Sequence, residues 1–225
     1  MCGRFTLFES SQVLSREFGV LIPSPIAPRY NIAPTRQVAV VRNRPETGER
    51  EFALLRWGLI PSWAKDPSIG ARIINARAET APGKPAFRSA FRRRRCLVPA
   101  SGFYEWQKQG RLKQPYYISL RDNGTMAIAG LWDRWEGTEG APIESCTLLT
   151  TEANELIAPL HDRMPAILPP ESYDLWLNPS EQDPAVLHPL LAPYPPDKMA
   201  ARPVSRRVND PSADDAGLVD LLTGA

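Results

Sequence analysis

The chain begins Met-Cys-Gly-Arg-Phe, and Cys2 is the first residue in it with reactive chemistry. A methionine followed by a small residue is ordinarily removed by aminopeptidase, which would leave Cys2 with a free α-amine beside its thiol. An α-amine titrates near 7.7 and a lysine near 10.4, so at neutral pH the α-amine has a reactive free-base fraction roughly several hundred-fold larger. Such an amine condenses with an aldehyde to a Schiff base, and the neighbouring thiol can close onto the imine as a five-membered thiazolidine. The other reading of Cys2 is an unreactive, buried small residue at the start of a terminal strand.

Four further positions carry chemistry. In INARAET (74–80), Asn75 and Arg77 alternate with Ala76 and Ala78, so an extended backbone puts the amide and the guanidinium on one face. That pair can clamp a phosphate and orient a carbonyl or hydroxyl, or Arg77 can pair with Glu79 or Glu105. In SGFYEW (101–106), Glu105 stands between Tyr104 and Trp106. A carboxylate walled by aromatics has a raised pKa that suits a general acid or base, whereas strand alternation alone would let it point to solvent. Only two histidines are present. His188 lies in the proline-bounded stretch DPAVLHPLL and reads as structural. His161, in LHDRMP, reads as a loop residue that can donate a proton to a leaving oxygen, or as a satisfied surface side chain.

The elements that must position these groups are short. Twenty-four prolines are spread along 225 residues, which disfavours long helices. The spacing of Val13, Leu14 and Phe18 predicts one amphipathic helix over Glu9 to Phe18, capped near Ser10 or Ser11. Apolar runs at 37–41, 51–57, 115–120, 126–132 and 145–150 predict strands, with turn signals at PETGE (45–49) and RDNG (121–124). Together they imply an α+β fold on a mainly antiparallel sheet curled towards a barrel. Helical patterning returns in EANELIAPL, ESYDLWL and DPAVLHPLL, and the Asp/Ala/Gly-rich tail from Asp210 to 225 is expected to be loosely ordered.

Composition narrows the classes. A formal charge of +2 does not announce nucleic-acid binding, so an anionic partner must be met by local clusters such as Arg92 to Arg95. That run reads either as phosphate contacts or as a solvated edge strand. Three cysteines without a C-x-x-C spacing argue against a disulfide framework and a zinc site and suit a reducing cytoplasm. No apolar run nears the roughly 18 residues that span a bilayer. The expectation is a cytoplasmic protein without a membrane partner or cofactor.

Eight ordered motifs carry a resemblance: MCGRF, RYNIAPT (29–35), RWGLIPSW (56–63), INARAET, CLVPASGFYEW (96–106), LLTTEAN (148–154), LHDRMPAIL (160–168) and PVSRRVN (203–209). The sequence resembles the SOS-response-associated peptidase family, also called abasic-site-processing proteins, over residues 2–209. The resemblance implies a single domain, an α+β fold around a curled, barrel-like sheet, acting as a monomer. It implies binding of single-stranded DNA and covalent capture of the ring-opened abasic sugar by Cys2. By the same likeness Asn75 positions Cys2 and the sugar, Glu105 is the acid or base beside the amine, and His161 protonates the ring oxygen. Arg4, Arg77 and Arg163 match phosphate-contacting arginines, Pro34 and Trp63 match apolar residues near the lesion, and Trp106 and Thr150 fall among the DNA-binding positions.

Two departures from the pattern stand out. Ala64 follows the PSW tryptophan where some members carry a second large aromatic, a stacking surface that contributes on the order of 1–3 kcal/mol. In KPAF (84–87) no basic residue aligns cleanly with a phosphate-binding one, with Lys84 and Arg88 nearby. Two rival classes remain at this stage. An N-terminal-nucleophile amidohydrolase or peptidase would also use a processed Cys2, although the Asn-Gly-Glu segment of the glutamine amidotransferases is absent. A non-catalytic single-strand binding module would keep the tryptophans and arginines without explaining Cys2, Asn75, Glu105 and His161 together.

Overall fold

The structure is a computed structural model that describes residues 2–44, 47–137 and 141–222. Within these, the strands in chain order are β1 Phe5–Leu7, β2 Arg29–Ile32, β3 Gln37–Asn43, β4 Arg50–Trp57, β5 Asn75–Arg77, β6 Arg95–Ala100, β7 Gly102–Gln109, β8 Leu112–Leu120, β9 Met126–Trp135, β10 Ile143–Glu152, β11 Arg163–Pro165, β12 Ile167–Leu168 and β13 Met199–Pro203. The α-helices are α1 Ser11–Phe18, α2 Arg88–Arg93, α3 Tyr173–Leu177 and α4 Pro184–Leu187, joined by several 3-10 turns.

Five strands close on themselves in the order β10-β4-β3-β6-β9 and back to β10, which makes the curled sheet a barrel. Strand β5 runs parallel to β10, β11 pairs antiparallel with β10, and β12 pairs with β9. A second sheet, β13-β8-β7-β1-β2, lies beside the barrel and is antiparallel throughout. The five apolar runs read as strands all lie in strands. All the described pairings are antiparallel except those of β10 with β4 and with β5. The RDNG turn does not close a hairpin: β8 and β9 belong to different sheets, and the turn, with Asn123 at φ 56°, carries the chain between them. Of the PETGE turn, Pro45 and Glu46 lie outside the described residues.

Helix α1 matches its prediction, with Ser10 accepting the N–H of Val13 and Gly19 ending it at φ 59°. EANELIAPL is corrected: it forms tight turns, because Asn154 Oδ1 takes the N–H groups of Leu156 and Ile157 and Pro159 has none to continue a helix. Arg92 to Arg95 is also reinterpreted. It is the end of α2 running into β6, which lies between β3 and β9 and is not an edge. Arg95 is buried, and its guanidinium donates to the carbonyls of Trp176, Phe91, Arg92, Asn178 and Glu181 at 2.5–2.9 Å. Burial pushes it down to about 10. Hydrogen bonds from a charged donor contribute on the order of 1.5–3 kcal/mol each, so Arg95 ties α2 and α3 to the barrel and is not available to a phosphate.

The loosely ordered tail is corrected for the described residues up to Leu222. Leu218 and Val208 are fully buried with Tyr104, Tyr117 and Val204 in a small second core on the outer face of the five-stranded sheet. The Asp residues that suggested looseness cap turns: Asp210 accepts the N–H of Ser212, and Asp215 that of Gly217.

Candidate active site

Glu105 sits on β7, and two features of the sequence fix that strand. Gly102 begins it at a place where a methyl group would collide with the Ile118 carbonyl and the Tyr117 hydroxyl, so only glycine lets β7 lie this close to β8. Beyond Phe5↔Phe103, the N–H of Tyr104 donates to the Arg4 carbonyl at 3.0 Å. This extends the β1–β7 ladder towards Cys2 and sets the N-terminal residues alongside Glu105.

Asn75 comes from the other sheet. Parallel pairing places it opposite Leu148 of β10, with Ala76 and Ala78 buried and Arg77 exposed, as the alternation requires. The segment reaches this position because WGLIPSW crosses Pro67–Arg72 at Gly58 and Gly70, where each glycine faces the other's carbonyl too closely for a Cβ. Asn75 Nδ2 donates to the Cys2 carbonyl at 2.9 Å, so a hydrogen bond joins the barrel to Cys2. Its Oδ1 is buried without a hydrogen-bond partner among the described residues. An orphaned acceptor costs on the order of 1–3 kcal/mol, which points to a donor supplied by a substrate or by the α-amine.

Cys2 is fully buried, with its Sγ 3.9 Å from the Arg4 carbonyl. Burial first, and then the negative charge of Glu105, push the thiol far above its usual range. Glu105 is itself buried, and its carboxyl is raised by loss of hydration, opposed in part by the positive charge of a protonated His161. His161 Nδ1 lies 2.7 Å from Asp162 Oδ1 and 3.0 Å from the backbone nitrogen of Arg163. The structure therefore brings Cys2, Asn75, Glu105 and His161 to one place, from four separate elements.

The expected DNA-contacting positions divide. Trp63 is 59% exposed, an unusual state for so large an apolar side chain, and Arg77 is also at the surface. Pro34 is half-buried in the turn before β3, where Thr35 adopts φ 71°. The loop carrying Trp63 is pinned from behind, as the Ser62 N–H donates to Asp133 Oδ2 at 3.0 Å and Trp135 Nε1 donates to the Ala64 carbonyl at 2.7 Å. Ala64 itself is buried. Trp106 is half-buried and donates through Nε1 to Asn209 Oδ1 at 2.8 Å.

Arg163 and Thr150 are engaged inside the protein. Arg163 grips both oxygens of Glu79 at 2.9 Å and donates to the Thr150 carbonyl at 2.5 Å. The Thr150 side chain is fully buried and donates to the Ala76 carbonyl at 3.4 Å. It has no surface to offer DNA, and these two residues brace the His161 loop against β5. Glu79 is thus the partner of Arg163 and not of Arg77. Burial works to raise the Glu79 carboxyl, but the Arg163 fork overrides it and holds the carboxyl below the usual range. Lys84 and Arg88 are exposed, and so is His188, within a 3-10 turn.

A residue without an assigned role in the sequence reading is Asn31, in RYNIAPT. It is buried, and its Oδ1 accepts Arg4 Nη1 at 2.7 Å. A buried amide in a four-residue strand otherwise flanked by Tyr30 and Ile32 was the available signal, since a buried amide needs partners.

A sequence model of the family described as "SOS response associated peptidase (SRAP)" matches residues 1–211. The chain belongs to this family. The abasic site processing protein YoqW of Bacillus subtilis is 42% identical over 224 residues, covering 98% of this chain and 99% of that one. The abasic site processing protein HMCES of Xenopus tropicalis is 33% identical over 216 residues, covering 81% of this chain and 63% of its own length. A crystal structure of a protein from Bacteroides thetaiotaomicron superposes with a TM-score of 0.89 at 28% identity over 99% of this chain and all of that one. A second, from Bordetella bronchiseptica, gives 0.76 at 29% identity over 91% of this chain. The SRAP fold is therefore the barrel with its flanking sheet and short helices. Abasic-site processing, with DNA as substrate, is the role that the family supports for this chain.

Among the described residues no helix is long and apolar enough to cross a membrane, and no group of three or more His, Cys, Asp or Glu could hold a metal ion.

Proposed function

We propose that this chain binds single-stranded DNA as a cytoplasmic monomer and captures an abasic site as a covalent thiazolidine on Cys2, without a cofactor. Met1 lies outside the described residues. The reading requires its hydrolytic removal, by aminopeptidase or by a single self-directed peptidase turnover, to free the Cys2 amine.

Burial sets the order of events. With the thiol held protonated, the α-amine is the first nucleophile. His161 Nε2–H protonates the ring oxygen of the sugar while Glu105 takes the proton of the C1′ hydroxyl, opening the ring to the C1′ aldehyde. The amine adds to C1′, and Glu105 transfers the amine proton to the new hydroxyl, which leaves as water. The Cys2 sulfur then attacks the imine carbon as Glu105 takes the thiol proton and passes it to the imine nitrogen, closing the five-membered ring. One aldehyde and one aminothiol give one thiazolidine and one water. Asn75 holds Cys2 by its carbonyl, and its buried Oδ1 accepts from the amine or from a sugar hydroxyl. Arg4, Arg77 and Trp63 supply phosphate and base contacts around the lesion. Decay of the imine by β-elimination would nick the strand, and ring closure by the thiol suppresses this lyase side reaction.

The observation that carries this reading is the convergence on Cys2 of an amide on its carbonyl and a carboxylate close enough to raise its thiol. Single-stranded DNA bearing one abasic site should give a boiling-resistant shifted band on a denaturing gel. Undamaged DNA, and abasic DNA whose aldehyde is first blocked with methoxyamine, should give none. A band of equal strength with the blocked lesion would exclude aldehyde capture.

A further inference from the structure

We propose that the C-terminal segment, Ser205 to Leu222, is a clasp that holds the Cys2 end of β1 against β7, with Asn31 as its keystone and Asp214 as its latch. The inference rests on the Cys2 reading above. It adds a positioning device, most of which lies beyond residue 211, where the family match ends.

Asn31 Nδ2 faces three carbonyls of the segment, those of Val208 (3.3 Å), Asp210 (2.9 Å) and Ala213 (2.8 Å), while its Oδ1 takes Arg4 Nη1. Arg4 Nη1 also donates directly to the Val208 carbonyl at 2.8 Å. Asp214 accepts the N–H groups of Tyr30 (2.5 Å) and Asn31 (3.0 Å) on Oδ1 and Arg29 Nε (2.5 Å) on Oδ2. The latch therefore occupies backbone donors along the outer edge of β2, where the five-stranded sheet ends.

On the β7 side the same segment meets the residues that flank Glu105. Asn209 accepts Trp106 Nε1, and Val208 and Leu218 pack with Tyr104, whose hydroxyl donates to the Tyr30 carbonyl at 2.8 Å. One clasp thus touches Arg4, two residues from Cys2, and both neighbours of Glu105. It fixes the separation of the amine from its acid–base partner. A displacement of about 1 Å from a distant change can cost about 10²-fold in rate.

The test uses Asp214→Ala, with Asp214→Asn as the conservative partner and Asp174→Ala, which breaks an exposed ion pair with Arg50, as a control. Two quantities are read on the full chain: adduct formation at saturating abasic single-stranded DNA, and amide hydrogen exchange without DNA. Asp214→Ala should slow adduct formation at saturation about 10-fold and speed exchange at residues 5–7 and 30–32. Affinity for undamaged single strands should stay unchanged, Asp214→Asn should recover most of the rate, and Asp174→Ala should behave as wild type. An unchanged saturating rate, or unchanged exchange in β1 and β2, would overturn the clasp. A wild-type chain that forms no adduct would instead remove the aldehyde-capture reading, and the exchange arm would still decide whether the tail holds the strand.

Discussion

Cys2→Ala protein, with its methionine removed, will form no boiling-resistant adduct with abasic single-stranded DNA, yet it will still nick the strand. Alanine at position 2 keeps an α-amine titrating near 7.7, so the imine still forms at neutral pH. Without the thiol the imine has only two fates, hydrolysis back to aldehyde or β-elimination. The side chain is fully buried and only one sulfur is lost, so the cost to the fold is about 1 kcal/mol and the protein remains folded for the assay. Denaturing gels of the DNA strand and of the protein, run from the same reaction, check both halves. A persistent stable adduct would show that the thiol is unnecessary.

Glu105→Gln will slow adduct formation by about 10²–10⁴-fold, the usual range for loss of a general acid or base. It will also make the protein more stable at neutral pH. Burial raises the Glu105 carboxyl in the folded chain above its unfolded value, so between the two values the native state holds a proton that the unfolded state has released. Stability from this group is complete below the unfolded value near 4.3. It is lost as pH rises through the folded value, because the native state must then ionise a buried carboxylate. Glutamine does not ionise. The gain in melting temperature of Glu105→Gln over wild type should therefore be near zero at acidic pH and grow towards neutrality. Thermal melts across pH, set beside rates, measure both effects. A variant that lost activity and was equally destabilised at every pH would mark Glu105 as a packing residue only.

The pairing of lost rate with gained stability reflects how the site is built. A carboxyl buried at 3% exposure and a polar Oδ1 orphaned on Asn75 are both unfavourable for folding. The surrounding barrel offsets them, with Phe5 packed edge-on against Trp57 at 5.1 Å and Trp57 Nε1 donating to the Ile74 carbonyl immediately before Asn75.

Much of the barrel was legible because its long strands are apolar runs bounded by turn residues. The shorter elements were not. β1, β5 and β11 are three residues each, below the length at which periodicity has meaning. β6 is buried at every position and so shows no alternation, and Pro99 and Gly102 interrupt the pattern of CLVPASGFYEW, where the strand pair β6 and β7 was not predicted. The residues of the candidate site were legible by type and motif, and Asn75 and Arg77 even by face. Their supports were not, since Arg95 reaching the carbonyls of Trp176, Asn178 and Glu181, Arg163 closing on Glu79 and Asn31 bridging Arg4 to the tail are all long-range contacts. The tail misled for a related reason. Asp and Gly suggest disorder by composition, but here the carboxylates cap turns and latch β2, and the one leucine needed for a core, Leu218, is present.

The most direct test of the central claim is the mass of the N-terminal peptide recovered from the heat-stable adduct after nuclease and protease digestion. Capture as a thiazolidine predicts a peptide that begins at Cys2 and carries the sugar remnant less one water. Its amine should resist acylation, its thiol should resist alkylation, and borohydride should not add hydrogen. A peptide that still begins with Met1, or one whose Cys2 thiol is alkylated while the DNA remains attached elsewhere, would contradict it.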